Sequence, residues 1–200
     1  HPSKFSERPL LTILVSDQDQ LEVGSVFKAM QAQWQREKID CRVAIVGNQS
    51  FENLTGAVQL NGLVKDIGKY CAAGLPDWKI LMPWIRELMS NRRRLQQGLP
   101  VDLLCEESRK SLQVLLQSDI VLDCTSSTGH QDLIQRSICH LLAAERCAFS
   151  TAWKGISQNS EINKLLRMSA GVSKPQVIES LSPFDITQLL TRHLKKQGKG

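Results

Sequence analysis

No apolar stretch of this 200-residue chain approaches the roughly 18 residues that a membrane-spanning helix requires. Residues 1–9 are polar and basic and lack the apolar centre of a secretory signal. None of the six cysteines, at positions 41, 71, 105, 124, 139 and 147, belongs to a Cys-x-x-Cys pair. Neither a zinc site nor a disulfide scaffold is therefore expected, and several cysteines sit in apolar stretches that suit reduced, buried thiols of a cytoplasmic protein. The 12 glycines include no Gly-x-Gly-x-x-Gly turn, so the usual dinucleotide phosphate loop is missing. Aromatic residues make up 5% of the chain and rarely interleave with its basic clusters, which disfavours stacking on single-stranded nucleic acid. No Pro-, Gly- or Ser-rich linker divides the sequence. It reads as a flexible segment over residues 1–9, one domain over 10–195 and a basic tail over 196–200. The start at His1 reads as that of a fragment or a processed product.

What is present is an alternation of strand-like and helix-like segments. Apolar runs at residues 10–15, 41–46, 101–105, 120–124 and 147–152 suit strands, and residues 176–178 suit a short last one. Between the first two, Val23, Val26, Phe27, Met30 and Trp34 recur at helical spacing. Helices are also predicted over residues 76–97, kinked or restarted at Pro83, and over 108–117, 133–144 and 160–168. Residues 51–74 carry four glycines and predict one or two short or bent helices or a mobile segment. Ser182-Pro-Phe-Asp185 has the cap serine, first-turn proline and early acid of a helix start. The expected fold is α/β and Rossmann-like: a single domain, its mostly parallel sheet of five or six strands covered by helices on both faces. Trp34, Trp78, Trp84 and Trp153 are expected to anchor the packing.

The most informative segment runs from Ser118 to Asp132. Four apolar residues end in Asp123 and Cys124, a small polar loop with one glycine follows, and then a helix. Parallel α/β folds bind ligands at such carboxyl ends of strands. Thr125, Ser126, Ser127, Thr128 and Gly129 offer hydroxyls and amides to a phosphate, as a flavin-phosphate loop would. Flavodoxin-like proteins, however, usually carry that loop after their first strand. Cys124 also sits where the thiolate of a tyrosine-phosphatase loop would sit. The arginine position of that loop is His130, which cannot hold phosphate in a bidentate grip. His130 and His140 have no carboxylate at a helical metal-ligand spacing, so no metal is expected.

The order Ser-Asp-Ile-Val-Leu-Asp-Cys-Thr over residues 118–125, then Cys139, then Ala148-Phe-Ser-Thr-Ala-Trp-Lys-Gly155, resembles the ubiquitin-activating-enzyme family. The bacterial sulfur-carrier adenylyltransferases are its simplest members. The apolar run from Leu11 into Ser16-Asp17-Gln18-Asp19 is similar to that family's second nucleotide-fold strand and its Asp-x-Asp turn. The resemblance implies that Asp17 or Asp19 contacts a nucleotide and that Asp123 helps to hold a metal-bound triphosphate. The family's glycine loop and both its zinc Cys-x-x-Cys pairs are missing here, and its Asp-Asn is Ser126-Ser127.

The net charge of +5 concentrates in two clusters, Arg92-Arg93-Arg94 and Arg192 to Lys196. Both read as solvated helix ends, with Lys195 and Lys196 as further anion-binding candidates. The preferred function is a degenerate nucleotide-fold domain that binds or assembles within a larger protein or complex. The alternative is a nucleotide-dependent enzyme, for adenylyl transfer or dinucleotide or flavin binding, whose phosphate loop lies outside this chain. A second alternative is a basic regulator that binds nucleic acid. No particular cofactor is identified; a nucleotide is the class that the fold would admit. Protein partners or further domains are expected, and a membrane is not.

Overall fold

The computed structural model describes residues 8–16, 20–47, 56–73, 75–124, 129–143, 147–150, 176–178 and 182–196. Six strands build one sheet: β1 (Leu10–Leu14), β2 (Arg42–Gly47), β3 (Ala57–Asn61), β6 (Ile120–Asp123), β7 (Cys147–Ser150) and β8 (Gln176–Ile178). Their spatial order is β3-β2-β1-β6-β7-β8, and every neighbouring pair is parallel. Two short strands, β4 (Cys71–Ala72) and β5 (Leu75–Pro76), pair antiparallel outside it. The helices are α1 (Gln20–Glu37), α2 (Val64–Gly68), α3 (Trp78–Ser90), α4 (Arg92–Gln96), α5 (Glu106–Gln117), α6 (His130–Ala143) and α7 (Pro183–Lys196).

The strand alternation sorts the core into two layers. Leu11, Ile13, Val43, Ile45, Ile120 and Leu122 point to one face, where α1 supplies Phe27, Met30 and Trp34 and α7 supplies Ile186, Leu189 and Leu190. Leu14, Val46 and Val121 point to the other, against apolar residues of α2, α3, α4, α5 and α6. Burial on both faces is why β1 and β6 are apolar on both sides except at Thr12 and Asp123, as interior parallel strands are. Two polar links tie their starts together. The Leu10 N–H donates to Asp119 Oδ2 and the Asp119 N–H to the Leu10 carbonyl, each at 2.9 Å. The Thr12 and Ser118 hydroxyls meet at 2.6 Å in the interior.

Three expectations need correction. Residues 101–105 form no strand. Val101 is buried, but the chain turns immediately, with the Leu104 N–H on the Val101 carbonyl, and the Leu103 carbonyl accepts the Trp84 indole N–H at 3.0 Å. This apolar run serves the helical layer. Residues 57–61, expected to be helical, form β3 at the sheet edge, where Val58 remains exposed. The third concerns the long helix expected over residues 76–97, which runs on through Pro83 and breaks at Asn91. Pro83 is exposed, so water can replace the N–H that proline lacks. At Asn91 the backbone N–H reaches the Glu87 and Leu88 carbonyls, while the Asn91 carbonyl accepts the Leu95 N–H. Gly98, at φ +75°, then closes α4 in the left-handed conformation that glycine adopts freely.

The start of α7 forms as expected, the Asp185 N–H donating to Ser182 Oγ at 3.0 Å. The predicted helix over residues 160–168 lies outside the described residues. Ser182→Ala should cost about 1 kcal/mol by removing this cap. Urea unfolding checks it through a lower midpoint at unchanged slope.

Candidate functional site

The strand order reverses between β1 and β6, and in an open parallel sheet the ligand crevice opens at such a reversal. Leu14 lies opposite Asp123 in the register. Beyond the ends of both strands the backbone stays tied: the Val15 N–H donates to the Val46 carbonyl at 3.0 Å and the Cys124 N–H to the Leu14 carbonyl at 2.9 Å. The two segments that follow, carrying Asp17 and Asp19 and residues 125–128, therefore leave neighbouring strands at the same edge. Asp17, Asp19, Thr125, Ser126, Ser127 and Thr128 themselves lie outside the described residues. Gly129 is exposed, and its carbonyl accepts the Leu133 N–H at the start of α6.

Asp123 is fully buried. Its position in β6 directs the side chain to the α6 side of the sheet, where Oδ2 accepts from Arg136 Nε at 2.9 Å and from His140 Nε2 at 2.8 Å. Arg136 and His140 are four residues apart, one turn on the same face of α6. An ionised carboxylate only accepts, so opposite Asp123 the imidazole carries its hydrogen on Nε2. The always-charged guanidinium supplies the opposite charge that burial of a carboxylate demands. Beside it, burial and then the negative charge of Asp123 push the Cys139 thiol up to about 12. Cys139 is protonated at neutral pH and unreactive. Cys124 is buried too, but on the opposite face, among Ile13, Leu122 and the apolar residues of α1 and α7. Its thiol is thus directed into the core.

A second buried acid supports the outer end of the same sheet edge. Asp66 of α2 accepts the Cys105 backbone N–H at 3.3 Å and the Cys105 thiol at 3.3 Å, and Lys69 Nζ lies 3.3 Å away. Burial raises the Asp66 carboxyl, but hydrogen bonds from Ser108, Cys105 and Lys69 outweigh that and leave it below the usual carboxylate range. Asp66 thereby caps α5, whose own N-cap residue, Cys105, makes no side-chain cap bond. Just past β3, a cavity of about 330 Å³ opens among Asn61, Gly62, Lys65, Cys105, Glu107 and Ser108.

The sequence pointed to the loops at the β1 and β6 ends but not to the partners of Asp123. Arg136 and His140 were readable only as polar residues four apart on an otherwise apolar helix face. Cys41, Cys71 and Cys105 are free and half-buried, whereas Cys124 and Cys139 are free and buried. The arginine cluster is also placed differently. Arg92, Arg93 and Arg94 are exposed and open α4 from its N-terminal end, and Arg94 reaches the Pro100 carbonyl at 3.0 Å. Lys195 is exposed in the last turn of α7, as expected, and Lys196 ends that helix. The chain matches no family model, no curated protein and no solved structure. The likeness to the sulfur-carrier adenylyltransferases thus rests on short motifs alone.

Asp123→Ala should destabilise the protein by about 3–5 kcal/mol, because it strands a buried guanidinium. The double variant Asp123→Leu, Arg136→Met should lose clearly less, and chemical denaturation of both variants measures the difference. Asp66 has the opposite experimental signature, in pH. Its carboxyl is lowered on folding, so it contributes stability above its unfolded value of about 3.9 and loses it as pH falls through the folded value. Asp66→Asn should flatten the fall of Tm with pH below about 4. An acid limb that stays as steep as the wild type's would contradict the assignment.

Proposed function

We propose that the chain is a nucleotide-fold domain without its phosphate glycine loop, serving as a binding or assembly module of a larger protein or complex. The observation that carries this is the state of Asp123. An acid that holds a metal-bound triphosphate must turn its oxygens into the crevice at the strand ends. Asp123 instead gives Oδ2 to Arg136 and His140 beneath α6 and is closed off from solvent. The cost of burying that carboxylate is offset by partners that hold it in place. Its role is therefore to fix α6 on the sheet.

Support also comes from Cys124, which is packed into the apolar layer under α1 and α7 and so is poorly placed as a nucleophile. The strand order, with its reversal between β1 and β6, suits this reading, while fold alone assigns no chemistry. The rival is the nucleotide-dependent enzyme, for adenylyl transfer or for a dinucleotide or flavin, and one experiment separates the two.

Thermal unfolding is measured with magnesium–ATP, NAD and FMN added singly. A ligand at about 100 times its Kd adds about 2.7 kcal/mol of stability, which is about 5–10 °C in Tm for a domain of this size. The expected result is no saturable shift with any of the three. A saturable rise would establish the enzyme reading in its place.

A further inference from the structure

A groove of about 360 Å³ lies between α1 and α7, on the layer of the molecule away from Asp123. Its wall on α7 is a single stripe, Phe184, Gln188, Thr191 and Lys195, at intervals of four, three and four residues, with Arg192 beside it. The stripe extends about 16 Å along the helix. Gln33 and Glu37 of α1 form the other wall. One end is apolar: the Phe184 ring is 58% exposed although it opens a helix whose neighbouring face is core. The other end is basic. Among the described residues, neither Arg192 nor Lys195 nor Glu37 forms an ion pair, so their charges are not consumed within the molecule.

The floor of the groove is fixed in advance. The Trp34 indole N–H donates to Thr187 Oγ1 at 2.8 Å, and that hydroxyl donates to the Pro183 carbonyl at 2.7 Å. Below it, Phe27, Met30 and Trp34 pack on Ile186, Leu189 and Leu190. A partner therefore meets a surface that needs little ordering on binding, which lowers the entropic cost of association.

We propose that this groove docks an acidic amphipathic helix of a partner protein. Apolar side chains of that helix would cover Phe184, and its carboxylates would face Arg192 and Lys195. Charge complementarity selects this occupant: two free cations stand at the end opposite an exposed apolar ring, the pattern that a helix with an apolar face and acidic flanks satisfies. Two helix walls also take a ridge of side chains. A nucleic-acid backbone fits less well, because Phe184 is the only aromatic among the described residues lining the groove, too few for base stacking. The proposal rests on the reading of the chain as a binding module and names the partner's chemistry.

The test is a fluorescence-anisotropy titration of the whole chain with a labelled helical peptide of about 16 residues, some 24 Å long. The peptide carries leucine on one face and glutamate on its flanks. A twin with lysine at every glutamate position and a labelled DNA duplex are the controls. The glutamate peptide should bind saturably and more weakly as salt rises, and the lysine twin should not bind. Phe184→Ala should weaken binding about tenfold, or about 1.4 kcal/mol. The double reversal R192E/K195E should abolish it and transfer affinity to the lysine twin. All these side chains are exposed, so Phe184→Ala should leave Tm at the wild-type value; R192E/K195E should lower it only slightly, through the helix dipole, and its binding of the lysine twin shows that the fold is kept. Absence of saturable binding by the glutamate peptide would overturn the proposal. So would equal binding of the twin, indifference to R192E/K195E, or tighter binding of the duplex. A Tm rise with magnesium–ATP refutes the module reading and leaves the peptide result standing, so the two failures are told apart.

Discussion

A parallel sheet must bury both of its faces, and that requirement decides where most apolar residues of this chain go. β1 and β6 are apolar at consecutive positions because one set of side chains feeds the α1–α7 layer and the other feeds the layer built from α2 to α6. Each layer then needs amphipathic helices of matching length, and the crossover connections of parallel strands supply them. Even the polar exceptions obey the same constraint. Thr12 and Ser118 meet hydroxyl to hydroxyl, and Trp34 finds Thr187, because a polar group inside either layer must find its partner there.

The two buried acids divide the structural work of the second layer. Asp123 binds the sheet to α6 through Arg136 and His140, while Asp66 binds the α2 turn to the start of α5. Asp123 is not a stabiliser in the simple sense, since desolvating a carboxylate consumes much of what its ion pair returns. Its contribution is to specificity. A helix held only by leucines can slide or rotate on a sheet, whereas α6 has one arrangement in which Arg136 and His140 both reach the same oxygen.

Wherever the deciding contact is local, the chain could be read directly. The alternation of β1, α1 and β2, the run into Asp123 and Cys124, and the Ser182 cap are all set within a few residues. Residues 101–105 misled because a short apolar run suits a buried turn as well as a strand; the Trp84 indole and the helical layer decide between them from a distance. β3 was hidden by its glycines, although Ala57-Val-Gln-Leu-Asn61 lies between two of them and could have been read as an edge strand. The partners of Asp123 were illegible for a different reason. Polar residues on an apolar helix face announce that something opposite must compensate them, but only the packing of α6 on β6 says what. Of the candidate site, the sequence indicated the edge of the sheet and left open the side to which its central acid turns.

Every residue of α6 from Leu133 to His140 is buried, which a helix lying on the outside of a layer cannot achieve. Its apolar cover comes from α2, α3 and α5, all of which precede it in the chain. As the polypeptide emerges from the ribosome, that cover is therefore synthesised before the helix it is to enclose. Leu81, Leu88, Leu112 and Leu115 stay without their interior partner until residue 143 has been made. A nascent chain in that interval presents an open apolar cup, the kind of surface that chaperones recognise and that aggregates when they do not. Completion of this layer is thus a late event that waits for its central helix.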